Sequence, residues 1–244
     1  VDCLFLDPAR RNEHGGKTVA ISDCEPNVAE LEGLLLSKAN RIMIKLSPML
    51  DLSQALKELP HTQEVHIISV NNECKELLLL LGQTAPEEIP VHCVNLSTKG
   101  EQEKQLFVFT REQEQHSECS YTDTLGNYLY EPNASLLKAG AFRSIAAAYS
   151  VKKLHPNSHL YTSDTQIEGF PGRTFRIINR CSLNKKEIKE NLSDLKKANI
   201  TVRNFPATVA ELRKRIKLAE GGDTYLFAST LNEGQKILIR CGKV

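Results

Sequence analysis

The feature that most constrains this chain is an alternation of short apolar runs with longer amphipathic ones across residues 1–111. Val1–Leu6, Arg41–Leu46, Glu64–Val70, Val91–Leu96 and Leu106–Thr110 read as strands. Asn27–Ala39 reads as a helix, with Val28, Leu31, Leu34 and Leu35 at helical spacing. Leu52–Leu59 reads as a helix opened by Asp51, and Glu73–Leu81 as a third, its Leu77–Leu81 run buried. Strand alternating with helix implies an α/β fold of βαβ units, a mostly parallel sheet with helices on its faces. Only the polar stretch Ser97–Gln105 separates the last two strands, so these should pair antiparallel at an edge.

Beyond residue 111 the pattern changes. Glu112–Cys119 is polar and reads as a linker. A strand near Tyr128–Tyr130 is followed by one or two helices over Ala134–Leu154, broken near Gly140, and by a short strand at His159–Thr162. Phe170-Pro171-Gly172 is a strong break. The remainder gives β-α-β-α-β-β, a small α+β module ending in a hairpin. Its helices are predicted at Lys185–Ala198, with Ile188, Leu192 and Leu195 on one face, and at Thr208–Leu218, with Val209, Leu212 and Ile216 inward. The expected modules are therefore 1–113, 119–170 and 171–244.

Net charge is only +1, but it is unevenly spread. Residues 1–118 carry 11 Lys/Arg against 19 Asp/Glu, whereas residues 173–244 carry 16 against 7. A basic terminal module on an acidic body suits an electrostatic grip on nucleic acid. Solvated lysine faces on a helix pair describe the same charge equally well. Lys185, Lys186, Lys189, Arg213 and Lys214 are the candidate contacts. No apolar run approaches the roughly 20 residues that span a bilayer. Seven cysteines at irregular spacing, without a CxxC pair, argue against a zinc site or a disulfide framework and for a reducing, cytoplasmic compartment. His155 and His159 are four apart, but Pro156 between them argues against a shared helical face, so no metal is expected there.

Asp7-Pro8-Ala9-Arg10-Arg11 directly follows the first predicted strand. Ligands of open α/β sheets bind beyond the carboxyl ends of strands, where this turn stands. Asp7 could accept a proton or hydrogen bond, Pro8 stiffens the turn, and Arg10 and Arg11 could hold phosphate. A strand-ending turn with a local Asp cap explains the same residues. Lys45 and Ser47, in Lys45-Leu46-Ser47-Pro48, end another predicted strand on the same rim and are candidate substrate or phosphate contacts. Asp23 and Glu25 read as caps of the first helix. Cys74 lacks the Ser-Cys-Asn-Pro setting of a covalent pyrimidine-methylating nucleophile and is expected to pack at a helix start.

Asp7-Pro8-Ala9-Arg10 after an apolar strand resembles motif IV of Rossmann-like methyltransferases. LDPARR at 6–11, KLSPMLD at 45–51, NNECKELL at 71–78 and YLYEPNASLLKAGAF at 128–142 together resemble bacterial THUMP-like-domain methyltransferases with a ferredoxin-like insert. KLHPNSHLYTS at 153–163, FPGRTFRI at 170–177 and NFPATVAELRK at 204–214 extend the resemblance over essentially the whole chain. It implies S-adenosyl-L-methionine (SAM) as cofactor and RNA, typically tRNA or rRNA, as partner. It also implies catalytic roles for Asp7, Pro8 and Arg10, with Asp7 also beside the cofactor. Ala9 stands where the motif has a second proline and Arg10 where it has an aromatic ring, which separates this site from the N6-adenine pattern. The glycine-rich SAM turn has no counterpart between a predicted strand and helix. The start inside an apolar run then reads as a strand cut from a longer protein. On that reading this is the second half of a Rossmann-like sheet followed by ferredoxin-like and THUMP-like modules, with the SAM site mostly upstream. Such a chain should bind SAM poorly and be inactive by itself. The rival reading is a non-catalytic RNA-binding or scaffold protein with a remnant methyltransferase fold.

Overall fold

The computed structural model describes residues 1–10, 20–98 and 104–244, and of Arg10 only the backbone. The chain divides into two compact units, one formed by residues 1–116 with 133–141, the other by residues 117–132 with 142–244.

The first unit is a six-stranded mixed sheet. Its elements are β1 (Cys3–Leu6), a short β2 (Ala9–Arg10) paired with β3 (Cys24–Glu25), α1 (Val28–Lys38), β4 (Arg41–Leu46), α2 (Leu52–Glu58), β5 (Thr62–Val70), β6 (Glu73–Gly82), β7 (Pro90–Leu96), β8 (Lys104–Thr110) and α3 (Arg111–His116). The strand order is β1-β4-β6-β5-β7-β8. Asp51 caps α2 as the sequence predicts, its carboxylate accepting the Gln54 amide at 2.8 Å. The cap of α1 is Asn27, whose Oδ1 accepts the Ala29 amide; Asp23 instead accepts the Ala20 amide in the preceding 3-10 turn.

The sheet is not mostly parallel, because the predicted helix 73–81 is a strand. β6 pairs antiparallel with both β4 and β5, while β1 with β4 and β5 with β7 are parallel. Five consecutive leucines carry no period, and leucine's helix preference yields to burial between two strands. The alternation appears only in the fold: Leu77, Leu79 and Leu81 are buried, Leu78 and Leu80 half-buried. The signal that sequence reading passed over is Asn71-Asn72, both with positive φ, at 50° and 64°. That conformation makes a two-residue type I′ hairpin turn, which Asn tolerates. The antiparallel pairing of β7 with β8 agrees with expectation. The predicted linker Glu112–Cys119 begins instead within the short helix α3, whose first turn is closed by Thr110 and Gln113 bonding to each other's backbone amides.

One face of this sheet, with Ile42, Ile44, Val65, Ile67, Leu77, Leu79, Val91 and Cys93, is fully buried. On the other, register places Lys45, Leu78, His66, His92 and Val108 in one row across five strands, all half-buried or exposed.

The second unit is a seven-stranded sheet. Its strands and helices are β9 (Tyr128–Pro132), α5 (Phe142–Tyr149), β10 (Lys152–Lys153), β11 (Tyr161–Ser163), β12 (Gly172–Cys181), α6 (Lys185–Leu192), β13 (Asn199–Arg203), α7 (Val209–Ile216), β14 (Thr224–Thr230) and β15 (Lys236–Lys243). The intervening α4 (Ala134–Ala139) belongs to the first unit and ends at Gly140, in the left-handed region. The order is β10-β11-β9-β12-β15-β14-β13. Strand β12 pairs with β9 on one side and β15 on the other, so the middle segment and the terminal β-α-β-α-β-β module share one sheet. They share a core too, with Leu129, Leu154 and Leu160 packed among Phe175, Phe227 and Ile239. Glu131, 1% exposed, is held by Arg173 and Arg203. No helix of the described residues is long and apolar enough to cross a membrane.

Candidate functional site

Strands β1 and β4 run parallel, and the register Leu6↔Ile44 sets Asp7 alongside Lys45 at their carboxyl ends. Lys45 Nζ lies 2.6 Å from Asp7 Oδ2. The hydrogen bond to Asp7 is the main influence holding the Lys45 ammonium above its usual pKa of 10.5, with Glu76 adding to it. Lys45 therefore stays a cation at neutral pH, a donor and not a base.

Asp7, buried Pro8, Lys45, Ser47 and Pro48 line a cavity of about 240 Å3, together with Cys24, Leu46, Lys75 and Glu76. Ser47 Oγ also accepts the Met49 amide, which fixes the loop after β4. Arg10 contributes backbone pairing to Cys24 in the β2–β3 ribbon, and Arg11 lies outside the described residues. The cavity is smaller than the roughly 300–1,000 Å3 of ordinary small-molecule sites. None of its described walls is a glycine that would let backbone approach a nucleotide. These residues by themselves do not fit around a cofactor of SAM's size. What they offer is a paired carboxylate and ammonium, a hydroxyl and a stiff proline turn at strand ends.

Cys74 sits in β6, not at a helix start, and is half-buried. Burial raises its pKa, which disfavours the thiolate a nucleophile needs.

In the second unit the predicted basic residues fall on two short helices. Asn184 caps α6, whose Lys185, Lys186 and Lys189 are exposed while Leu192 is buried. Helix α6 ends at Leu192, shorter than predicted. Leu195 bonds back to the Leu192 carbonyl, and Arg240 grips Asp194 with two bonds of 2.9 and 2.7 Å. Lys196 and Lys197 are exposed beyond the helix. Thr208 and Glu211 form the capping box of α7. Lys214 is exposed, but Arg213 is half-buried, donating to the Ala198 carbonyl at 3.1 Å. Val209, predicted inward, is exposed at the first position of α7.

Sequence reasoning missed two arrangements. One is a cavity of about 470 Å3 rich in hydroxyls, including Thr122, Thr124, Thr162, Ser163 and Thr165. The other is Glu64, His66 and His92 on β5 and β7, whose ligand atoms lie within 4.8 Å of one another. The Glu-x-His spacing on a strand, which puts both side chains on one face, was the available signal.

Residues 128–171 match the family model of a ferredoxin-like domain, and residues 172–243 match that of a THUMP domain-like family. Among curated proteins no match is found. The chain is similar to the crystal structure of a "putative methyltransferase" from Porphyromonas gingivalis W83, with 40% identity and a TM-score of 0.89. The similarity covers 100% of this chain and 60% of that one, so the chain spans about three-fifths of that protein's length. Ferredoxin-like and THUMP-like domains thus follow a mixed α/β sheet that resembles the corresponding part of that protein.

Proposed function

We propose that this chain belongs to a SAM-dependent methyltransferase that modifies RNA, its six-stranded sheet being the later part of a Rossmann-like catalytic domain. The observation that carries this is the Asp7–Lys45 pair at the carboxyl ends of two adjacent parallel strands, over a cavity floored by Pro8 and Ser47. Asp7 would accept a hydrogen bond from the group to be methylated, with Pro8 and Arg10 completing the turn that positions it. Lys45, Ser47 and Arg11 would hold flanking phosphate or ribose. The methyltransferase neighbour and the THUMP-like match support the reaction and the RNA partner respectively. The exposed lysines of α6, with Lys214, would contact the RNA backbone. Arg213 would support that surface from within.

A second reading, an RNA-binding or scaffold protein without catalysis, is favoured by the small cavity, none of whose described walls is a glycine. Transfer of labelled methyl groups from SAM to total RNA by the intact protein separates the two. Transfer to RNA but not DNA, abolished in Asp7→Ala, is the expected result. RNA binding with no transfer to any acceptor would favour the scaffold.

A further inference from the structure

We infer that Glu64, His66 and His92 form a binding site for a divalent transition-metal ion of the zinc class on the half-open face of the six-stranded sheet. Glu64 and His66 are two residues apart on β5 and so share a face. His92 stands directly opposite His66 on the neighbouring parallel strand β7. All three side chains are thus placed by the backbone of a sheet interior, the most rigid support a site can have.

The donor atoms converge. Glu64 Oε2 lies 3.1 Å from His66 Nε2 and 4.0 Å from His92 Nε2, so both imidazoles present the same nitrogen to one carboxylate oxygen. Ligands at roughly 2.0–2.2 Å from one zinc ion sit about 3–3.5 Å from each other in tetrahedral geometry. The imidazole rings are stacked, with centroids 4.3 Å apart and planes within 7°. Closing on one ion requires the two rings to turn out of their parallel stack so that both Nε2 atoms point at the same centre.

The chemistry also selects the ion. Two imidazoles and a carboxylate suit zinc, cobalt or nickel, whereas copper(I) and iron–sulfur clusters want thiolates. Cys93, next to His92 in sequence, is buried on the opposite face of the sheet and adds none. The two histidine side chains are each 26% exposed and Glu64 45%, which leaves one coordination position for water. Leu78 and Val108 flank the pair in the same row. This site is independent of the methyltransferase proposal.

The test is calorimetric titration of the metal-stripped chain with zinc, paralleled by cobalt absorption spectroscopy. One equivalent should bind, with a cobalt spectrum lacking thiolate charge transfer. His66→Gln and His92→Gln should each weaken binding at least tenfold, and Glu64→Gln by a similar factor, while the melting midpoint of the metal-free variants stays near wild type. Cys74→Ser should leave affinity unchanged. Absence of stoichiometric binding, a thiolate band, or affinity indifferent to the histidine variants overturns the proposal. Should a glutamine variant melt early, His66→Asn and His92→Asn take its place with the same criterion.

Discussion

The Lys45 ammonium closes onto the Asp7 carboxylate at 2.6 Å across the carboxyl ends of β1 and β4. The pair is exposed to water, so its weight in stability is small and its value lies in placing charge. Lys45→Met should therefore leave the melting midpoint at pH 7 nearly unchanged while lowering methyl transfer by the intact protein on the order of tenfold. The linkage has a definite sign: Lys45's pKa is raised in the folded state, so the pair's contribution is complete below 10.5 and lost as pH rises through the folded value. Thermal melts from pH 7 to 11 should show wild type losing more than Lys45→Met, and only above about pH 10.

Strand alternation in β6 makes neighbouring leucines unequal. Leu79→Ala, at a fully buried position, should cost about 2–5 kcal/mol in urea unfolding. Leu78→Ala, on the half-open face, should cost about 1 kcal/mol. Equal costs at the two sites would contradict the strand.

The lysines of α6 are free to be changed without touching the core. Replacing Lys185, Lys186 and Lys189 by Glu should weaken RNA binding at least tenfold and flatten the dependence of log affinity on log salt by about 2. Circular dichroism should remain that of wild type. Arg213→Glu should behave differently and lower the melting temperature, because the Arg213 guanidinium holds the Ala198 carbonyl.

His159 stacks on Phe142 at 3.6 Å, and its buried Nδ1 has no hydrogen-bond partner. Burial, with Lys153 and Arg203 nearby, pushes its pKa down to about 4. The unfolded chain takes up this proton first, so stability should fall as pH drops from about 6.5 to about 4 and level off below. Allowing for its partial exposure, the loss is on the order of 1–2 kcal/mol. Denaturation across that range should show the slope in wild type and a shallower one in His159→Phe.

Much of this was legible in the residues. The cap Asp51, the facing apolar residues Leu192 and Leu212, and the β-α-β-α-β-β order of the terminal module all follow from local spacing. So does the placing of Asp7-Pro8 at a strand end. Leu77–Leu81 was misread because a run of one residue type has no period, and Asn71-Asn72 was the only local clue to the hairpin. Lys45 was singled out with Asp7, but their contact depends on β1 lying next to β4.

The sequence by itself determined the helix starts at Asp51 and in the terminal module, the inward turn of Leu192 and Leu212, and where a strand gives way to a polar turn. Those properties depend on residues within a turn or two of one another. Only the tertiary structure decided that the sheet is mixed, that the middle and terminal segments share seven strands, and that Glu64 and His66 meet His92. Strand pairing is set by backbone hydrogen bonds between segments far apart in the chain, and a shift of one residue would send each side chain to the opposite face.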